Sequence, residues 1–351
     1  MVSLYIRRVR ILSVFLMIFF LLPGCRDGQI DQKGQVLFGL ALEGLPTSAS
    51  FFHELEMDMG LPVTFINFFL QWPEDPKQIN FPAQTFKDVH DFGAVPVLTW
   101  EPMYYEGMTE HMIPADEILR GRYDGYIEYF AGRIKDMGKP VIVRFAHEMN
   151  LSRYHWGGTI EEYGPESPKR YAKLFRHVVE VFRQQGAENA LFAFCPNNES
   201  VPSPKYDAHA YWNTAQNYYP GDDYVDILGM DGYNWGTTRT IDEHGWSSRW
   251  LSFAEIFQDI FLELRQINPG KPLYVFETAS VRQGGDWQAW VWEAFATAGQ
   301  WELDGIIWFH ADKEEDWRFT GFADSEYYPA ILEIIGTGSL GDNQIQQANA
   351  N

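Results

Sequence analysis

Eight short apolar runs recur along the chain at fairly even intervals, and no other feature restricts its fold so strongly. They fall at residues 36–42, 62–69, 94–100, 140–147, 190–196, 225–231, 272–277 and 304–309. Each carries β-branched or aromatic residues and is short enough to be a buried strand. Helical patterns separate most of them. From Pro168 to Gly186, Tyr171, Leu174, Phe175, Val178 and Phe182 keep the spacing of one helix face, while Lys173, Arg176, Glu180 and Arg183 occupy the other. Gly186 suits the left-handed stop that ends such a helix. A second helix is expected from about Arg122 to Met137, with Tyr123, Tyr126, Ile127, Phe130, Ile134 and Met137 buried and Gly138 just past its end. Strands and helices alternating in this way predict an α/β chain, a single-domain (β/α)8 TIM barrel over residues 35–336, with function carried by the loops at the strand C-termini. An open doubly wound sheet would put a glycine-rich turn after its first strand, and Leu40-Ala41-Leu42-Glu43-Gly44 is not one. The literal G-x-G-x-x-G at Gly336-Thr337-Gly338-Ser339-Leu340-Gly341 follows a helical pattern instead of a strand. It reads as the start of a disordered tail over residues 337–351.

At the other end, Arg7, Arg8 and Arg10 precede an apolar run over residues 11–22 that is too short to span a bilayer comfortably. Residues 1–24 are therefore expected to be a signal peptide. Leu22-Pro23-Gly24-Cys25 resembles the lipobox of bacterial lipoproteins, which implies lipid on Cys25, a flexible tether over residues 25–34 and a protein anchored in the bacterial cell envelope. Loss of the three arginines with the leader would move the net charge from −21 to about −24. So acidic a body repels phosphate, which excludes nucleic acid and leaves membrane contact to the lipid alone. A neutral polysaccharide is indifferent to that field. Beyond Cys25 there is one further cysteine, Cys195, so neither an internal disulfide nor a cysteine-rich metal site is expected. A monomer without cofactor or metal is the expectation.

Four of the expected strands end at carboxylates: Glu101, Glu148, Asp231 and Glu277. Strand ends share one face of a barrel, and acids crowded at one mouth repel one another. One is thereby held protonated while another stays ionised, the division that acid/base and nucleophilic catalysis need. Such acids can equally cap helices or pair with an arginine such as Arg144, and composition does not pick a catalytic pair among the four. Trp72, Trp100, Trp156, Trp235 and Trp308 fall at or just beyond the same ends, where half-buried rings could stack on the apolar faces of sugars. Trp250, Trp287, Trp290 and Trp292 lie in helical stretches and read as packing. Competing chemistries lack their parts. His147-Glu148-Met149-Asn150-Leu151 has leucine where a zinc-protease helix needs its second histidine, and neither a P-loop nor a nucleophile elbow is present.

The block Val141-Ile142-Val143-Arg144-Phe145-Ala146-His147-Glu148-Met149-Asn150 resembles the fourth-strand signature of glycoside hydrolase family 26, the β-mannanase family. Asp226 to Trp235, with Gly232-Tyr233-Asn234-Trp235, is similar to its sixth strand, Pro272 to Thr278 to its seventh, and Ile307-Trp308-Phe309 with Asp316-Trp317-Arg318 to its eighth-strand region. The resemblance implies a retaining endo-β-glycosidase, with Glu148 as acid/base, Glu277 as nucleophile and their carboxyl groups about 5–5.5 Å apart. It implies that His147 bonds near the −1 sugar, that Tyr233 keeps Glu277 oriented and ionised, and that Trp308 floors the −1 subsite. Trp156, Trp235, Asn197 and Glu101 are further candidate substrate contacts. Where many family mannanases carry glycine and tryptophan after this block, the chain has Leu151 and Arg153. That leaves the sugar open among β-1,4-mannan, related glucan or xylan, and an exopolysaccharide. The alternative is an inactive polysaccharide-binding lipoprotein on the same scaffold.

Overall fold

The computed structural model describes residues 35–46 and 48–336. The expected signal peptide at 1–24, the lipidated Cys25 with its tether to residue 34, and the expected tail at 337–351 lie outside the described residues. Every apolar run singled out in the sequence forms a strand. β1 (Leu37–Ala41), β2 (Phe65–Gln71) and β3 (Val95–Glu101) come first. An antiparallel hairpin absent from the sequence expectation follows, β4 (Met103–Glu106) and β5 (Thr109–Met112). Then come β6 (Val141–Phe145), β7 (Ala190–Phe194), β8 (Ile227–Asn234), β9 (Leu273–Ser280) and β10 (Gly305–Phe309). All but the hairpin pair in parallel and close into a barrel in the order β1-β10-β9-β8-β7-β6-β3-β2, a (β/α)8 TIM barrel. Parallel strands covered by helices are apolar on both faces, which is why each read as a run and not as an alternation.

The helices form where their buried stripes lie. The helix Ser167–Gln185 buries Tyr171, Leu174, Phe175, Val178 and Phe182 and ends at Gly186, whose φ of 71° only glycine adopts freely. The helix Asp124–Met137 buries Tyr126, Ile127, Phe130 and Ile134 and ends the same way at Gly138. Strand ends next to three of the acids differ from expectation. β6 stops at Phe145, because Ala146 and Glu148 take left-handed φ values of 49° and 52° that turn the chain out of the ladder. β8 and β9 instead run on past Asp231 and Glu277, with a register shift at Met230/Asp231 that brings those two acids opposite each other.

Side-chain parity decides what reaches the barrel mouth. In β3, Thr99 and Glu101 face inward, so the intervening Trp100 faces outward and stacks on Tyr126 and Phe130 at 5.7 and 4.8 Å. In β10, Phe309 faces inward toward Phe69 and Tyr233. Trp308 therefore faces outward, against Trp287 and Trp290 of the helix Trp287–Gln300. The inside of the barrel also carries a polar column. Thr99 Oγ1 donates to Asn67 at 2.7 Å and accepts from Arg144 Nε at 2.9 Å. The fully buried Arg144 guanidinium reaches Asp231 at 2.8 Å and Glu277.

Candidate active site

Above that column the strand ends surround a cavity of about 780 Å³. Glu148 and Glu277 both line it, together with Glu101, His147, Asn197 and Tyr233. The loop bearing Glu148 is held by backbone and amide bonds. Glu148 N–H donates to the Cys195 carbonyl at 2.8 Å, and Asn197 Nδ2 donates to Glu148 Oε1 at 2.7 Å. Asn150 and Asn197 then exchange bonds, Asn197 N–H to Asn150 Oδ1 at 2.8 Å and Asn150 Nδ2 to the Asn197 carbonyl at 2.9 Å. This lattice holds Glu148 in a backbone conformation that a non-glycine residue seldom adopts, a form of strain that concentrates at functional sites.

The two glutamates occupy different surroundings. Burial pushes Glu148 up to about 7, and the Glu277 charge adds to the rise against the Asn197 bond and the Arg144 and Arg153 charges. Glu277 accepts from Arg144 on one oxygen and from Tyr233 OH on the other at 2.7 Å, which fixes its orientation. Burial works against the charge on Arg144, but Asp231 and Glu277 outweigh it and hold the guanidinium well above its ordinary value. His147 is held neutral by burial and by the nearby arginines, and its Nδ1 has no partner among the described residues. Glu101 accepts from Gln71 Nε2, yet burial still raises it to about 7.

Several sequence expectations divide here. Asp231 is not at the mouth: it lies fully buried in the column beneath, bonded to Arg144 and to the Cys195 thiol. Trp308 does not line the cavity, because parity turns it under the helices, where its indole N–H donates to the Trp317 carbonyl at 2.7 Å. Trp156 is buried too, its N–H donating to the His147 carbonyl at 2.7 Å and its ring stacked 5.0 Å from Tyr154. Trp72 and Trp100 are buried against each other. Among the five tryptophans expected as platforms, only Trp235 lines the cavity. The aromatic wall comes instead from Phe69, Tyr154, Phe309 and Trp317, with Trp246 farther out. Phe309 was missed because strand parity makes it inward only if Trp308 points outward, and the expectation had Trp308 facing the cavity. Leu151 and Arg153, the departures from the mannanase pattern, are on the cavity wall, and Arg153 is tied to Glu110 of the hairpin at 2.7 Å.

A carboxyl raised to about 7 and a second carboxyl bonded on both oxygens, lining one aromatic-walled cavity, are the kinds of group that general acid/base and nucleophilic catalysis use. Parts of the chain match known proteins. Residues 114–248 match the family described as glycosyl hydrolase family 26. Endoglucanase H of Acetivibrio thermocellus is 32% identical over 291 residues, covering 82% of this chain and 29% of that protein. A mannan endo-1,4-beta-mannosidase of Bacillus subtilis is 32% identical over 108 residues, covering 29% of this chain and 25% of that protein. The chain thus matches less than a third of either relative's length. The solved structure of a Bacillus subtilis mannanase shares the fold, with a TM-score of 0.59 at 15% identity over 84% of this chain and 86% of that one.

Proposed function

The chain belongs to glycosyl hydrolase family 26, and from that premise we propose that it cleaves a β-linked polysaccharide internally and with retention, Glu148 acting as acid/base and Glu277 as nucleophile. Glu148 gives its proton to the glycosidic oxygen as a Glu277 oxygen attacks the anomeric carbon. The bond to the leaving sugar breaks and a glycosyl ester forms on Glu277. Glu148, now a carboxylate, takes a proton from water, whose oxygen attacks the same carbon and frees Glu277. Tyr233 and Arg144 orient the nucleophile, Asn197 orients the acid, and neutral His147 lines the cavity beside them. The observation that carries this reading is the contrast between two glutamates on one cavity, one raised by burial and by its partner's charge, the other bonded on both oxygens.

For the sugar we place β-1,4-glucan ahead of β-1,4-mannan. A relative that matches 82% of the chain is named an endoglucanase, and Leu151 and Arg153 stand on the wall where the mannanase pattern differs. The test is to incubate the protein with mannan, mixed-linkage glucan and xylan, and to follow product size and the anomer released first. Oligosaccharides bearing the β-anomer are expected. An α-anomer first, or no cleavage of any of these polymers, would sink the proposal.

A pH profile tests the roles. With Glu148 at about 7, the acid form is present below that pH and lost above it, so the rate is expected to fall as pH rises through about 7. Glu101 also titrates at about 7, and the control is Glu101→Gln, in which the alkaline fall should persist. A fall that disappeared in that variant would move the proton donor from Glu148 to Glu101.

A further inference from the structure

The wall of the cavity beside the nucleophile continues outward as a row of rings. Tyr233, bonded to Glu277, lies 5.2 Å from Trp317. Trp317 meets Trp235 at 4.9 Å and 89°, and Trp235 meets Trp246 at 5.6 Å and 83°. Trp246 is the outermost, 44% exposed and still part of the cavity lining. A lone exposed tryptophan is ordinary. One that ends a row of rings starting at the nucleophile, on a loop stiffened around it, calls for a ligand.

That loop, which follows β8, is held in place before anything binds. Arg239 and Ser248 clasp it across its width, Ser248 N–H donating to the Arg239 carbonyl and Arg239 N–H to Ser248 Oγ, both at 3.1 Å. Asn234 Oδ1 closes its base by accepting from Gly236 N–H at 3.2 Å and Leu251 N–H at 3.1 Å. Gly236 has a φ of 50°, and a Cβ there would collide with the Gln283 carbonyl, so only glycine lets the loop pack so closely on its neighbour. The Arg239 guanidinium lies 4.5 Å over the Trp235 ring and pairs with Glu315 at 2.5 Å, which fixes the ring that supports Trp246. Polar groups of Ser247 and Arg249 line the cavity alongside.

We propose that Trp246, supported by Trp235, is the stacking platform of a distal subsite that takes one hexopyranose unit of a β-linked chain, reached from Glu277 along Tyr233, Trp317 and Trp235. A pyranose offers an apolar C–H face to the ring and hydroxyls to the polar groups beside it, the pairing of apolar and polar recognition found here. Because ring and loop are already ordered, little conformational freedom is lost on binding. A chain occupying this subsite while its cleaved bond lies between Glu148 and Glu277 must extend several units from the break. This subsite rests on the reading of those glutamates as the catalytic pair, and it makes that reading specific to polymers.

The experiment measures binding without turnover. In a Glu148→Gln background, cello- and manno-oligosaccharides from disaccharide to hexasaccharide are titrated by calorimetry and by tryptophan fluorescence. Affinity is expected to climb with length until the distal subsite is filled. Adding Trp246→Ala should erase the last step, weakening the longest oligosaccharides roughly tenfold, while Trp246→Phe should keep part of it. Circular dichroism of both variants checks the fold. If Trp246→Ala binds every length as tightly as its parent, or if the parent gains nothing with length, the subsite is refuted. If length-dependent binding is lost as expected but the unmodified protein cleaves no polymer, the catalytic reading fails and the subsite stands.

Discussion

Replacing Glu148 or Glu277 by alanine is expected to lower polysaccharide turnover by about 10²–10⁴-fold or more in each case, with the unfolding temperature little changed. Neither side chain anchors the fold. Glu148 has one side-chain partner, Asn197, and Glu277 can be removed with the Arg144–Asp231 pair left in place. The two losses should be separable by their chemistry. An aryl glycoside with a good leaving group needs no proton from Glu148, so Glu148→Ala should retain much of its first step on such a substrate and then stall at the glycosyl ester. Added azide, small enough for the space the carboxylate vacates and needing no base, should release that ester as a β-glycosyl azide. Glu277→Ala cannot form the ester and should not be restored in that way. Near-full activity in either variant, or azide rescue giving the same anomer in both, would overturn the assignment of roles.

Arg144→Met should cost stability as well as activity. The guanidinium is fully buried and bridges Asp231 and Glu277 from inside the barrel, with Thr99 fixing its Nε. Removing the cation that contacts both buried acids leaves at least Asp231 uncompensated, a loss of about 3–5 kcal/mol for a broken buried pair. Urea or thermal unfolding would read it. Arg144→Lys should recover only part, because a single ammonium cannot span both carboxylates as the planar fork does. Adding Asp231→Asn to Arg144→Met should recover stability without recovering turnover, since Glu277 still lacks the donor on its first oxygen. An Arg144→Met protein that unfolds at the parental midpoint would show the bridge to be dispensable.

Arg144 illustrates why half of the site could be read in advance and half could not. The sequence placed it on the fourth barrel strand and identified it as a possible partner for strand-end acids. The acids it joins stand 87 and 133 residues away along the chain, and a distance of that kind leaves no local trace. The tryptophans illustrate the same division. Position near a strand end was legible for Trp100 and Trp308, whereas the face each presents follows from which neighbour turns inward, and that follows from closure of the barrel. The hairpin at Met103–Met112 escaped notice because its strands are only four residues long and carry little periodic signal.

By itself, then, the sequence determined the eight strands and the best-patterned helices with their glycine stops, while family resemblance put forward the two glutamates proposed as the catalytic pair. Hydrophobic period, capping chemistry and motif spacing are all written within a few consecutive residues. Tertiary structure alone decided that Asp231 sinks into a buried ion pair while Glu148 rises to about 7, and that Trp246 stands at the end of the aromatic wall while Trp308 lies beneath a helix. Strand register, side-chain parity and the field at a carboxylate depend on groups far apart in the chain, and they acquire values only once the barrel has closed.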